Sequence, residues 1–208
     1  MTSVMIPGRA RARAATLALA LILGAGLAGC AGDGMRGSTH MASDAAGPVQ
    51  VGGAPMYASK TIVENAVNSA DHTTLVAAVK QAGLVDALSG PGPFTVFAPT
   101  NAAFDALPAG TVEGLMAPSA RAQLAGVLTY HVVPGRLTRS ELMARIRAGG
   151  GKATLTTLVG GMLTARMNGP DNIVIADAGG RTADISTYDV LQSNGVIQVI
   201  DHVLIPQG

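Results

Sequence analysis

Histidine, cysteine and carboxylate side chains are the groups in this sequence that could take part in chemistry. The chain has four histidines, His40, His72, His131 and His202, and a single cysteine, Cys30. A zinc or calcium site needs several ligands of these types at close and recognisable spacing. The four histidines lie far apart in the sequence and no second cysteine is present. The sequence therefore predicts neither a metal site nor a bound cofactor.

Asp201 and His202 are adjacent, and a carboxylate beside an imidazole is a common arrangement for orienting a catalytic or metal-binding histidine. Both lie in an apolar stretch at residues 196–205 that predicts a strand. Neighbouring side chains of a strand point to opposite faces. We therefore expect the two residues not to share a site, and expect His202 to satisfy a hydrogen bond in the core.

Two further motifs of enzymes are absent or incomplete. The chain has no Gly-x-Ser-x-Gly motif, which positions the nucleophile of many hydrolases. Residues 149–152 read Gly-Gly-Gly-Lys, but Ala153 follows the lysine and the upstream glycine of a phosphate-binding loop is missing. We expect this run to be a loop that ends a helix, and we expect the protein not to be an enzyme.

Tyr130 and His131 form another candidate pair, at the point where a predicted helix over residues 119–130 gives way to an extended stretch. Aliphatic residues flank the pair at 127–128 and 132–133. In an inward-facing pair, the tyrosine ring packs in the core and the histidine joins helix and strand through a hydrogen bond. The alternative is that the pair binds a partner.

The elements that must position these residues begin with helices. Residues 61–64 and 138–141 both have the Thr-x-x-Glu spacing of a capping box. Within residues 95–104, β-forming residues run into Pro99, which ends a strand, and Thr100 or Asn101 can cap the next helix.

From Ala153 onward the sequence changes to short β-like runs separated by Gly, Asn, Asp and Pro. The last run, residues 196–205, is apolar at both alternating sets of positions, which predicts a central strand buried on both faces. Helices first and strands later predict an α+β domain rather than a parallel doubly wound fold.

The N-terminal segment predicts export. Three arginines and no acidic residue precede an apolar run at residues 15–27 that is short for a transmembrane helix, the alternative interpretation. Leu-Ala-Gly-Cys at 27–30 resembles the bacterial lipobox, in which the cysteine is lipidated after cleavage before it. We therefore expect residues 1–29 to be a signal peptide and Cys30 to carry a lipid anchor. Ala31 directly follows the cysteine, which resembles lipoproteins that are transferred to the outer membrane. The domain is therefore expected to be periplasmic or surface-exposed.

Residues 30–57 are rich in Gly, Ala, Ser and Pro, which predicts a flexible linker, and residues 58–208 have the length of one domain. Cleavage before Cys30 leaves 11 basic and 13 acidic residues, a net charge of −2. The basic residues are scattered and the chain has no Trp. These features exclude nucleic acid as an expected partner.

Three segments, in order, resemble the fasciclin (FAS1) family: residues 95–104 the first signature, Tyr130–His131 the internal Tyr-His pair, and residues 194–206 the second signature. The resemblance extends over roughly residues 59–206. It implies a β-wedge of two small sheets with helices packed alongside. It also implies a non-enzymatic module for cell adhesion or for extracellular or periplasmic protein interaction, with a protein or cell-surface partner. We expect a monomer.

The resemblance also suggests binding residues. In the family the Tyr-His pair has been tied to integrin binding, which makes Tyr130 and His131 candidates. Asp189 and Val190 stand where some members have an Asp-Ile motif, with Val190 in place of the isoleucine; a structural role of Asp189 at a turn or edge is the alternative. Some proteins with this fold bind carotenoids, so the alternative function is a carrier of a small lipophilic ligand.

Overall fold

A computed structural model describes residues 47–207. The predicted signal peptide, Cys30 and most of the predicted linker lie outside the described residues. Within residues 47–207, no helix has both the length and the apolar character needed to cross a membrane.

The described part of the chain contains seven α-helices and two short 3-10 helices, at Ala70–His72 and Pro118–Ala120. Most of the helices precede the main run of strands, as the sequence predicts. The helices are α1 (Ile62–Ala66), α2 (Thr73–Ala82), α3 (Val85–Ser89), α4 (Asn101–Asp105), α5 (Thr111–Met116), α6 (Arg121–Tyr130) and α7 (Arg139–Ala148).

Nine strands complete the fold among these residues. They are β1 (Val49–Val51), β2 (Ala54–Met56), β3 (Phe94–Pro99), β4 (Val132–Pro134), β5 (Lys152–Thr156), β6 (Met162–Asn168), β7 (Asn172–Ala176), β8 (Thr182–Gln192) and β9 (Gly195–Ile200). β1 and β2 pair as a hairpin, and the other seven form a sheet in the order β4-β3-β9-β8-β7-β6-β5.

Threonine caps begin the helices where the sequence predicts them. Thr61 and Glu64 form the complete capping box of α1, and the side chain of Thr100 accepts a hydrogen bond from the third residue of α4. Thr138 caps α7 in the same way. Each such cap stabilises a helix by about 1 kcal/mol.

β3 and β9 are parallel and lie at the centre of their half of the sheet, whereas the other neighbouring strands are antiparallel. All six residues of β9 are buried, which confirms the predicted central strand. The predicted extent of the strand, to residue 205, was wrong, because the strand ends at Ile200.

β8 divides the sheet into two halves. Thr182–Asp184 pair with β7, and Ile185–Gln192 pair with β9. The register shifts twice between Ile185 and Val190, so the strand bends there. The two expected small sheets are therefore joined through β8. The α+β fold is confirmed as a β-wedge of two small sheets with helices packed alongside.

Two hydrophobic cores lie on opposite faces of the β3–β9 pair. The helix-side core joins Val96 and Ile197 to apolar residues of α1–α4 and α6. The sheet-side core joins Phe97 and Ile200 to α7 and to the inner face of β5–β8. Because successive strand residues point to opposite faces, one strand pair supplies both cores.

The hairpin of β1 and β2 lies within residues 30–57, where the sequence predicts a flexible linker. Gly52 and Gly53 form its turn, both with positive φ, and Val51 and Met56 are buried in the helix-side core. The structured region thus begins before residue 58. The prediction missed the hairpin because its strands are only three residues long and show no extended alternation.

Candidate functional site

Tyr130, the last residue of α6, is buried in the sheet-side core with 1% of its surface exposed. Its hydroxyl donates to the carbonyl oxygen of Met162 at 2.8 Å and accepts from the amide of Ala178 at 3.2 Å. Burial raises the pKa of Tyr130. Tyr130 therefore fastens the β5–β6 and β7–β8 connections to the end of α6.

His131 follows Tyr130 and is also buried. Its Nδ1 lies 2.8 Å from the carbonyl oxygen of Val127, and its Nε2 lies 3.0 Å from the amide of Leu204. A carbonyl can only accept and an amide can only donate, so these partners select the neutral ring with the proton on Nδ1. Burial lowers the pKa of His131 to about 4.

This geometry uses every polar atom of the His131 ring for internal bonds. The backbone of His131 is used as well, since its carbonyl oxygen accepts from the amide of Phe97 at 2.9 Å. The Tyr-His pair thus has the inward-facing arrangement, in which histidine bridges helix and sheet. Neither ring nitrogen is available to a metal ion or to a reacting proton.

Asp189 occupies the bend of β8, with φ of 55°. Its carboxylate accepts from the amide of Arg139 at 2.7 Å, at the start of α7, and from the side-chain amide of Gln198 at 3.0 Å. A negative charge at a helix N-terminus is favourable. Val190, beside it, is 1% exposed. Asp189 therefore ties α7 to β8 and β9, as the alternative of a turn or edge residue predicts.

The structure does not bring the two candidate pairs into one site. Tyr130 and His131 bond to the β5–β6 and β7–β8 connections and to Leu204, whereas Asp189 bonds to α7 and β9. No hydrogen bond joins the pairs among residues 47–207.

The expectation for Asp201 and His202 was wrong in both respects. The chain bends after Ile200, so the two residues lie beyond the strand. Asp201 Oδ1 lies 2.9 Å from His202 Nδ1 and also accepts from the amide of Asp184 at 2.8 Å. The His202 side chain is 57% exposed rather than in the core. Within the described residues, no group of three or more His, Cys, Asp or Glu side chains is arranged to hold a metal ion.

An apolar cavity of about 200 Å³ between the helices and β3 is a feature that the sequence interpretation missed. Val67, 47% exposed, and the exposed Lys80 also line it, so the cavity reaches the surface between α1 and α2. Among its lining residues are Ile62, Ala66, Leu75, Val79, Val96 and His131. One signal for the cavity was present in the sequence. The segments of α1 and α2 contain more aliphatic residues than one buried face of a short helix requires.

We expect the buried neutral His131 to make the fold acid-sensitive. The folded pKa of about 4 lies below the unfolded value of about 6.5, so the unfolded state binds the proton more readily. The contribution of His131 to stability is complete above the unfolded pKa and is lost as the pH falls from about 6.5 toward 4, by about 3 kcal/mol. Burial also lowers the pKa of His72, which adds to the loss in the same direction.

Urea unfolding at stepped pH values measures this loss, and NMR titration of the imidazole resonances assigns it to a residue. His131 is expected to stay neutral down to about pH 4. The variant His202→Gln, at an exposed site, identifies the His202 resonance in these spectra. Titration of His131 near its ordinary pKa would contradict the buried neutral state.

Solved structures and curated proteins show clear similarity to this chain. The structure of a FAS1 domain pair from the insect cell adhesion molecule Fasciclin I matches with a TM-score of 0.55 at 21% sequence identity, over 70% of this chain and 51% of that chain. This match shows the shared fold.

Several curated relatives are bacterial. Protein sll1483 of Synechocystis sp. is 47% identical over 70% of this chain and 73% of its own length. Immunogenic protein MPB70 of Mycobacterium bovis is 33% identical over 80% of this chain and 78% of its own length. Cell surface glycolipoprotein MPB83 of the same species is 33% identical over 80% of this chain and 69% of its own length.

The Fasciclin domain family matches residues 70–206, a span that includes both signature segments, the Tyr-His pair and all strands of the seven-stranded sheet. The chain therefore belongs to the fasciclin family.

Proposed function

We propose that this protein is a non-enzymatic fasciclin module, exported and held at the bacterial envelope, that mediates cell adhesion or extracellular or periplasmic protein interaction as a monomer. Family membership is the observation that carries the proposal, since fasciclin domains typically take part in adhesion or protein interaction. A relative named as a cell surface glycolipoprotein supports the envelope location.

The state of the histidines supports a non-enzymatic role. General acid–base catalysis needs a group that can exchange its proton near the working pH. His131 is buried and neutral with both ring nitrogens bonded, and His72 is buried.

The family-derived binding residues enter this proposal as positioning residues. Tyr130 and His131 hold two connections and the segment after β9, and Asp189 and Val190 hold the bend of β8. They support a binding surface by placing the elements around it.

We expect a protein or cell-surface partner to be captured by crosslinking in the native envelope, followed by binding of the purified protein to that partner. Asp189→Asn preserves the size of the side chain and an acceptor oxygen but removes the charge, so it is expected to leave binding within about twofold. Asp105→Asn, at an exposed position, is the matched control. Loss of binding specific to Asp189→Asn would show direct charge recognition, and absence of any partner would contradict the interaction role.

Lipid attachment at Cys30 is part of the proposal, with the outer membrane as the site of the anchor. Metabolic labelling with a palmitate analogue is expected to mark the wild-type protein and to leave Cys30→Ala unlabelled, because the chain has no other cysteine. Label retained by Cys30→Ala would contradict this attachment site.

The apolar cavity favours a second candidate function, the carriage of a small lipophilic ligand. Ligand sites are typically clefts of about 300–1,000 Å³ lined mainly by apolar side chains. At about 200 Å³, this cavity is sized for a short apolar molecule or for one end of a longer one such as a carotenoid.

Extraction of the protein purified from its native envelope, followed by mass spectrometry, tests the carrier function. We expect Ala66→Phe to fill the cavity and to abolish ligand retention, because Ala66 lines it. Ala77→Phe adds the same group at an exposed position of α2 and is expected to retain the ligand. A wild-type extract without lipid or pigment, or equal retention by both variants, would contradict the carrier function.

A further inference from the structure

The turn between β5 and β6 presents an apolar tip to solvent. Leu158 is 46% exposed, Val159 50% and Met162 61%. Seven large hydrophobic residues are exposed within the described part of the chain. Two of them, Leu158 and Val159, lie in this turn, and a third, Met162, is the first residue of β6. Single exposed apolar residues are common on protein surfaces, whereas a contiguous group marks a contact surface. We call these three residues the hairpin tip.

The hairpin tip is held in place rather than loose. The buried Thr157 donates to the carbonyl oxygen of Gly161 through its amide at 2.9 Å and its hydroxyl at 3.0 Å. The amide of Leu158 donates to the carbonyl oxygen of Val132 at 2.8 Å. On the other side, Tyr130 binds the carbonyl oxygen of Met162. The fold thus fixes apolar side chains in water, an arrangement unfavourable without a partner.

The two strands behind the tip carry uncompensated positive charge. Lys152 and Arg166 are exposed and face each other directly in the register of β5 and β6, and like charges opposed in this way are destabilising. Residues 150–168 contain no Asp or Glu. Among the salt bridges of the described residues, none involves either cation. The hairpin is therefore cationic in a chain whose overall formal charge is only +1.

We propose that the β5–β6 hairpin docks on an anionic lipid bilayer, with the hairpin tip entering the boundary between headgroups and acyl chains and with Lys152 and Arg166 binding lipid phosphate. A bilayer offers an apolar layer directly beneath an anionic one, which matches both features of the hairpin.

The dimensions of the hairpin agree with this docking. Arg166 lies four positions after Met162, a rise of about 13 Å along the strand. Apolar groups of peripheral proteins enter the bilayer by roughly 5–10 Å, and the headgroup layer adds about 5–8 Å on each side. The long side chains of Lys152 and Arg166 then reach the phosphates.

A fluorophore at the hairpin tip tests the proposal in the full chain. In the Cys30→Ala background, Val159→Cys provides one cysteine for an environment-sensitive label. We expect a blue shift and at least a twofold rise in emission with vesicles of phosphatidylcholine and phosphatidylglycerol, and a response at most one third as large with phosphatidylcholine alone. The matched control Leu191→Cys, an exposed apolar position outside the hairpin, is expected to give no shift with either vesicle. This local readout is independent of membrane attachment by the N-terminal segment.

Charge variants separate lipid docking from a purely apolar contact. Lys152→Glu combined with Arg166→Glu is expected to weaken the response at the tip about tenfold or more. Lys60→Glu combined with Lys80→Glu makes the same change of net charge elsewhere and is expected to leave it unchanged. Equal responses with both vesicle types, or no response with either, would overturn the proposal. A shift that grows with protein concentration without vesicles would also overturn it, because a second copy would then cover the tip.

Tyr130→Phe tests the positioning of the tip, since it removes the hydroxyl that donates to Met162 and accepts from Ala178 and leaves the ring in place. We expect a smaller blue shift at residue 159 and faster amide exchange in residues 157–162, with Tyr57→Phe, at an exposed tyrosine, as the control. Loss of the lipid response would leave the adhesion role untouched, because a captured partner is a separate measurement.

Discussion

The parallel pairing of β3 with β9 is the contact on which the rest of the structure depends. It joins Phe94 to Gly195 across about half of the sequence and separates the two hydrophobic cores. The approach of the strands is close, because a Cβ on Gly195 would collide with the carbonyl oxygen of Phe94. Parallel strands buried on both faces are rich in apolar residues along their whole length. β9 meets this condition in five of its six residues, and the sixth is the hydrogen-bonded Gln198.

The polar residues of the family motif serve this central pair. His131 binds β3 through its carbonyl oxygen and the segment after β9 through its ring. One residue thus holds the end of α6 against β3 and against the segment that follows β9. Asp189 and Gln198 perform a related task on the other side, where they fasten α7 to β8 and β9. Buried polar groups are costly unless they are fully bonded. The polar groups of these side chains all have hydrogen-bond partners within the fold, which allows the motif residues to be buried.

Local signals in the sequence predicted much of this arrangement. The caps at Thr61, Thr100 and Thr138 depend on neighbouring residues only, and the double-sided burial of β9 follows from its apolar pattern. The end of β9 was missed because Val203 and Leu204 remain buried after the strand has ended. The apolar pattern there indicates buried side chains but not hydrogen bonding to a neighbouring strand.

The candidate surfaces were less predictable, because they arise from tertiary packing. The cavity forms where short helices meet β3, and no single helix pattern specifies the space between them. The positive φ of Asp189 follows from the two register shifts of β8, which depend on both neighbouring strands. The like-charged pair of Lys152 and Arg166 becomes visible only once the register of β5 and β6 is known.

These groups of residues differ in whether their side chains are used inside the fold. Residues that identify the family, such as Tyr130, His131 and Phe97, have their surfaces and polar atoms occupied within the fold. The side chains of the hairpin tip and of Lys152 and Arg166 are exposed instead. Neither cation forms an ion pair among the described residues. Substituting them therefore alters a surface without removing a bond of the core. A fold built in this way can change its partner through exposed turns while the central pair and its polar contacts stay the same.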